Sequence, residues 1–282
     1  VSSAVQKATK LPSLHTLYCP IASRGGRSRM PGVHKSLRNR SNKLEALCAI
    51  SKNTVRSMED WGAKQVHQIP PAVAIDRFSP PSHDRPLREE LGLKEDDVAI
   101  LFVGNARRQK NLTGLLVAFA DVKRIYPSTK LIITTELKRS ASNVQLAEIN
   151  KQIDELGIRE GIVQYGIIDS MPDLMRSCDM LVAPFLDTNG PSDYFMAALE
   201  AMACGRPVVV SAVGGMPEIV TPVNGALINP ADPMNIANEL GKFIADKNLR
   251  KSAGEQARKK IVEHFKPSKI AEAHQLLYRS IL

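Results

Sequence analysis

Paired cysteines are what this chain most plainly lacks. Its four, Cys19, Cys48, Cys178 and Cys204, are widely scattered, with no spacing that would make a zinc site or a redox dithiol. That excludes a disulfide-stapled scaffold, and a reduced, cytoplasmic setting is expected. Long apolar runs are missing as well. Stretches such as Ala99–Val103 and Pro207–Val210 fall far short of the roughly 20 residues a spanning helix needs, so no segment is expected to cross a membrane. An initiator Met is absent, and Val1–Val5 is not followed by the apolar core and small-residue cleavage site of a signal peptide. A fragment start or an alternative start codon is the expectation.

Acid is missing from the first 44 residues, which carry nine Lys and Arg and a single aromatic, Tyr18. The net charge of +9 is confined to this end: residues 1–85 hold fourteen basic against five acidic side chains, and the remainder is neutral. The basic residues concentrate between Arg24 and Arg29 and between Lys35 and Arg40. Such a block attracts anions: phosphorylated substrates, acidic lipid headgroups or nucleic acid. A solvated loop is the alternative. One aromatic gives bases little to stack on, which sets nucleic acid aside. An anionic or lipid-linked acceptor stays open. So does peripheral contact with the inner face of a membrane, where each Lys or Arg contributes on the order of 1 kcal/mol.

What is present is an ordinary globular composition, 43% apolar and 24% charged over 282 residues, enough for one large domain or two small ones. From about residue 98 onward, short β-branched runs alternate with amphipathic stretches, the pattern of βαβ units around a parallel sheet. Strands are expected at 98–103, 130–135, 161–165, 180–184, 207–211 and 226–228. Helices are expected after Gln109, where Leu112, Leu115, Leu116, Phe119 and Val122 recur at helical spacing, and at about 142–156, 193–203, 232–246 and 247–264. The first 80 residues repeat the theme in miniature, with strands at 14–18, 47–50 and 66–69 and a helix at 52–61. Pro70-Pro71 and the Pro-rich stretch 79–86 punctuate a linker, placing a boundary near residue 85. The expected division is 1–85, 86–265, and a terminal helix over 266–282 that crosses back onto the first domain through Ile270, Ala273, Leu276 and Leu277.

In an open parallel sheet, ligands bind beyond the carboxyl ends of the strands. Three loops there stand out. The first runs from Gly104 to Lys110 and Asn111: the glycine admits close backbone approach, the helix start offers free N–H groups, and Arg107, Arg108 and Lys110 add charge. It would suit a diphosphate. The second runs from Phe185 to Tyr194 into a helix that Ser192 and Asp193 can cap. Glu200 sits about two turns into it among small apolar residues. A carboxylate in that setting needs a partner, either a ligand hydroxyl or a basic side chain. In the third, Gly214-Gly215 precede a helix whose start is set by Pro217.

Val103-Gly104 followed by Lys110-Asn111, then Leu199–Val208, Gly214–Glu218 and Asn224–Pro230, resemble in order the C-terminal domain of glycosyltransferase family 4. Ile50–Thr54 and Ile69–Pro80 resemble the end of the family's N-terminal domain. The resemblance implies an α/β chain of GT-B type, with a complete C-terminal Rossmann-like doubly wound domain plus a partial, N-terminally incomplete Rossmann-like domain. It implies a retaining transfer of a sugar from a nucleoside diphosphate sugar, the co-substrate, to an acceptor hydroxyl, with no other cofactor and no metal. Lys110 would hold the diphosphate, Glu200 the ribose hydroxyls, and Gly166, Ile167 and Ile168 would pack on the base. Gly104, Asn105, Arg108, Ser192, Tyr194, Phe195 and Met196 complete the implied donor site, and Asp193 joins Lys110 and Glu200 as a catalytic candidate.

Three positions depart from the family pattern. Asn105 stands where Arg is common, with Arg107 or Arg108 as substitute charges. Ser192 stands where a Glu usually contacts the donor sugar, so either Asp193 covers that role or the sugar is held differently. Tyr18 stands near the usual His position, with His15 close by. A catalytically silent nucleotide-sugar-binding module is therefore the alternative to an enzyme.

Overall fold

The structure, a computed structural model, describes residues 14–18, 46–81, 85, 87–105, 107–134, 143–166, 169–188 and 192–282. The basic segment from Arg24 to Arg40 and the pair Ile167 and Ile168 lie outside them. The chain begins with β1 (Leu14–Leu17), β2 (Ala46–Ala49), α1 (Lys52–Asp60) and β3 (Val66–Gln68). It continues through β4 (Val98–Val103), α2 (Leu112–Ile125), β5 (Thr129–Thr134), α3 (Asn143–Glu155), β6 (Ile162–Tyr165), α4 (Met171–Ser177) and β7 (Met180–Ala183). Last come α5 (Met196–Ala203), β8 (Val208–Ser211), β9 (Gly225–Ile228), α6 (Pro233–Ala245), α7 (Lys247–His264) and α8 (Pro267–Ile281). No helix among the described residues is long and apolar enough to cross a membrane.

Two units emerge: Val1–Ala72 with Thr188–Tyr194 and Phe265–Leu282, and Val73–Asp187 with Phe195–His264. The division falls at Ala72–Val73 and not near residue 85, because the Pro-rich stretch is fastened to the second unit. Val73 and Phe78 are buried, Arg258 donates to the carbonyls of Ile75 and Phe78 at 3.0 and 2.7 Å, and Arg176 donates to those of Arg77 and Ser79.

In the first unit, β1, β2 and β3 form a parallel sheet in that order. The two-residue period of a strand assigns the faces of β2. Ala46 and Cys48 pack with Ile69 against Ile270 and Leu277 of α8, while Leu47 and Ala49 pack against Met58 of α1. Of the apolar positions expected to dock α8, Leu276 does not: it is 59% exposed. The buried stripe instead runs Ile270, Ala273, Leu277, Ile281, and a residue six positions after Ile270 points well away from it at 100° per residue.

In the second unit, six strands form one parallel sheet in the order β6-β5-β4-β7-β8-β9. All six were legible to within a residue, since a parallel sheet covered on both faces needs continuous apolar runs: Ala99–Phe102 and Val208–Val210 are at most 1% exposed. α4 was not anticipated. Its seven residues are too short to show a helical period, and its local signals are Ser170, which accepts from the Asp173 N–H, and Pro172 in the first turn. After β8, the helix expected from Pro217 is a single 3₁₀ turn, Met216–Glu218, because the chain must enter β9 at Gly225 with Ile219 and Val220 already buried.

Helix α7 packs closely enough on the end of α5 to demand glycine. A Cβ on Gly254 would lie 2.1 Å from the Gly205 carbonyl oxygen. Gly254→Ala gains about 1 kcal/mol of helix propensity but overpacks against backbone, at a cost of about 1–3 kcal/mol. The variant is expected to unfold at lower urea concentration. An unchanged or higher midpoint would show that α7 moves off freely.

Candidate functional site at the strand-order reversal

The chain passes from β4 outward to β5 and β6, then returns to the opposite side of β4 as β7. The loops after β4 and β7 therefore leave adjacent strands and diverge, which opens a crevice at their carboxyl ends. Three contacts bridge it. The Leu186 N–H donates to the Gln109 carbonyl at 2.9 Å, Gln109 Nε2 donates to Asp187 Oδ1 at 3.3 Å, and Lys110 Nζ lies 3.6 Å from the centre of the Phe185 ring.

Lys110 ends a 3₁₀ turn, Arg108–Lys110, and the next residue, Asn111, adopts a left-handed conformation with φ 53°, one that Asn tolerates better than most residues. Asn111 is buried, and its Nδ2 donates to the Pro230 carbonyl at 2.7 Å. The lysine is thus flanked by a residue tied to the β7 loop and a residue tied to the loop after β9. Burial pushes its ammonium down to about 8. Between that value and 10.5 the unfolded chain binds the extra proton, so stability rises with pH through this window. Below it the buried cation opposes folding, and an anion placed beside it would offset that cost. Gly104, whose N–H donates to the Thr134 carbonyl, and Asn105, which accepts from the Arg107 N–H at 3.2 Å, complete the turn. Arg107 and Arg108 are exposed.

Glu200 lies one turn into α5, not two, because the helix starts at Met196 with Phe195 as an N-cap that makes no side-chain bond. Glu200 is half-buried. Burial raises its pKa, and the charge of Arg77 opposes the rise. Gly166 follows β6, two strands from β4, about 10 Å away at the usual strand spacing, and is exposed. Among the described residues no three His, Cys, Asp or Glu side chains gather as a metal site.

Ser192 and Asp193 do not cap α5. Asp193 belongs to the first unit, is fully buried, and accepts from Ser51 Oγ, from Asn53 Nδ2 at 3.0 Å and from Thr54 Oγ1 at 3.2 Å. Its N–H donates to the Tyr18 carbonyl at 2.6 Å. Ser51 is the N-cap of α1, so the carboxylate sits at the positive end of that helix. Both oxygens are occupied by the protein itself. Tyr194 packs edge-on against Phe265, and Phe195 donates its N–H to Met216 Sδ at 3.4 Å. Ser192 Oγ is buried with no hydrogen-bond partner among the described residues, while Met196 is half-buried.

A parallel doubly wound unit with a bridged basic loop at its switch point matches what the comparisons show: residues 84–260 fit the family model described as glycosyl transferases group 1. The chain belongs to this family. A D-inositol 3-phosphate glycosyltransferase of Xylanimonas cellulosilytica is 30% identical over 203 residues, covering 68% of this chain and 46% of that protein. An N-acetyl-alpha-D-glucosaminyl L-malate synthase of Bacillus anthracis is 24% identical over 197 residues, with 70% and 49% covered. The chain spans about half the length of these curated relatives. HepE of Anabaena, in complex with UDP, superposes with a TM-score of 0.88 at 20% identity, covering 99% of this chain and 75% of that one. Sucrose-phosphate synthase from Thermosynechococcus elongatus gives 0.82 at 23% identity, with 99% and 70% covered. These neighbours establish the GT-B fold.

The residues matched by the family contain Gly104, Lys110, Phe185 and Glu200. Sequence inspection did not assign roles to Phe185, Gln109 or Arg77. Phe185 stood out only as the start of the second loop, and its partner lies 75 residues earlier in the chain.

The bonding of Asp193 gives a direct test. Asp193→Ala removes the shared acceptor of Ser51, Asn53 and Thr54, and hydrogen bonds to a charged group contribute about 1.5–3 kcal/mol each. The variant is expected to lose at least about 2 kcal/mol in urea denaturation while nucleotide binding by the second unit persists. Lost binding at unchanged stability would give Asp193 a ligand role instead.

Proposed function

We propose that this chain binds a nucleoside diphosphate sugar through its second unit and transfers the sugar to an acceptor hydroxyl with retention at the anomeric carbon. The observation that carries the proposal is Lys110, a partly buried cation fixed at the strand-order reversal with its pKa pushed down to about 8. A diphosphate beside it would restore the favoured charged form. The HepE structure, which contains UDP, supports a nucleotide of this kind.

In the proposed reaction the bond between the anomeric carbon and the phosphate oxygen breaks, and its electron pair goes to the leaving phosphate. Charge grows there, where Lys110 and the N–H groups of the β4 loop stabilise it. The acceptor oxygen attacks on the face that the phosphate vacates, and the phosphate takes the acceptor's proton. Neither a protein nucleophile nor a metal enters this scheme. Glu200 accepts from the ribose hydroxyls. Asp193, bonded to Ser51, Asn53 and Thr54, makes no contact with the donor sugar in this scheme. For the acceptor we propose an anionic molecule: the two relatives' names specify a phosphate and a malate, and the first 44 residues carry nine Lys and Arg without an acid. A binding module without turnover is the second reading, favoured by Ser192, which stands where the family resemblance implies a Glu.

Calorimetric titration of the chain with UDP, GDP and ADP tests the donor site. One nucleotide is expected to bind, and Lys110→Ala and Glu200→Ala are each expected to weaken it about tenfold or more, the equivalent of losing a charge-assisted hydrogen bond. No binding to the folded chain would sink the assignment. Affinity is expected to be flat below about pH 8 and to fall above it, because the free lysine then loses its proton and binding must restore it. In Lys110→Ala that dependence disappears.

A further inference from the structure

The proposed donor lysine rests on one aromatic ring that packs, tilted, against a second. Phe185 is 4% exposed, and its ring centre lies 4.4 Å from that of Phe195, also 4% exposed, with the planes inclined by 49°. Lys110 Nζ sits over the Phe185 ring, 3.6 Å from its centre. No charged partner among the described residues shifts its titration; burial alone does. The face of a phenyl ring is electrically negative and attracts an ammonium without neutralising it. A carboxylate in the same place would pair with the lysine and compete with an incoming phosphate. An aliphatic side chain would fill the space but leave the long lysine free to rotate.

We propose that Phe185 is a positioning residue for donor binding: its ring, braced by Phe195, holds the Lys110 ammonium in place, charged and unpaired, for the donor diphosphate. The inference rests on the donor-site reading given above. It explains why the backbone on either side of Lys110 is tied down, by Gln109 to the β7 loop and by Asn111 to Pro230. Those tethers fix the start of the side chain, and the ring fixes its end. Rotamer freedom is then lost at folding, so less remains to be lost when the ligand binds.

The test titrates the full chain, F185L, F185Y, K110A and the F185L/K110A pair with UDP, GDP and ADP, and with uridine, guanosine and adenosine. F185L is expected to weaken the bound diphosphate roughly fivefold, to leave the phosphate-free nucleoside unchanged, and to add no further loss in the K110A background. F185Y, which keeps the ring, is expected to restore affinity. Equal loss for diphosphate and nucleoside, or equal loss with and without Lys110, would overturn the proposal and make Phe185 a packing residue. A second measurement needs no substitution: NMR of the unmodified chain should show the Lys110 ε-methylene protons displaced upfield by the ring current. Ordinary shifts for those protons would overturn the proposal even if F185L failed to fold. Absence of any nucleoside diphosphate binding by the unmodified chain would instead remove the donor reading, and the inference with it.

Discussion

Strand order reverses between β4 and β7, and that reversal governs the second unit. Two neighbouring strands end side by side, yet their loops run in opposite directions across the sheet. The ladder that joins the strands therefore stops where the crevice begins, and backbone groups in both loops need other partners. Gln109 supplies one, its carbonyl accepting from the Leu186 N–H, and its side chain donates to the Asp187 carboxylate. The crevice is thus held open by a few specific bonds in a position where the fold alone would leave a gap.

A charge placed there has unusual consequences. Lysine in water is indifferent to its surroundings, but Lys110 lies over Phe185 and is partly removed from solvent, so it responds to whatever enters the crevice. Glu200 has the opposite sign and the same kind of partial burial, moderated by Arg77. Perturbed groups of both signs in a single unit are a recurring mark of ligand sites. The first unit shows the contrasting case. Asp193 is more deeply buried than either, but its oxygens are saturated by Ser51, Asn53 and Thr54, and a saturated carboxylate fixes the chain where it stands. Burial separates structural from functional charges only when the partners are known.

This distinction also marks how far the sequence could be read. The parallel strands were legible because each is an apolar run closed by loop residues, and the motif from Leu199 to Val208 carried the family. Gly104, Lys110 and Glu200 were singled out because strand ends are where ligands bind. Asp193 was misassigned as a cap of α5, since local spacing shows only neighbours, and its partners lie about 140 positions away. The same limit hid Phe185, whose meaning depends on a lysine from another loop. Leu276 was misplaced on α8 for a different reason: the apolar residues between Ile270 and Leu277 admit more than one stripe, and only packing against Ala46, Cys48 and Ile69 selects among them.

The central claim is that a diphosphate occupies the crevice between the β4 and β7 loops. A crystal structure of the chain with the nucleoside diphosphate identified by titration tests it most directly. The account predicts phosphate oxygens within hydrogen-bond distance of Lys110 Nζ and of N–H groups between Gly104 and Asn111, with the ribose hydroxyls on Glu200. A nucleotide bound elsewhere, with Lys110 still unpaired over the Phe185 ring, would contradict it.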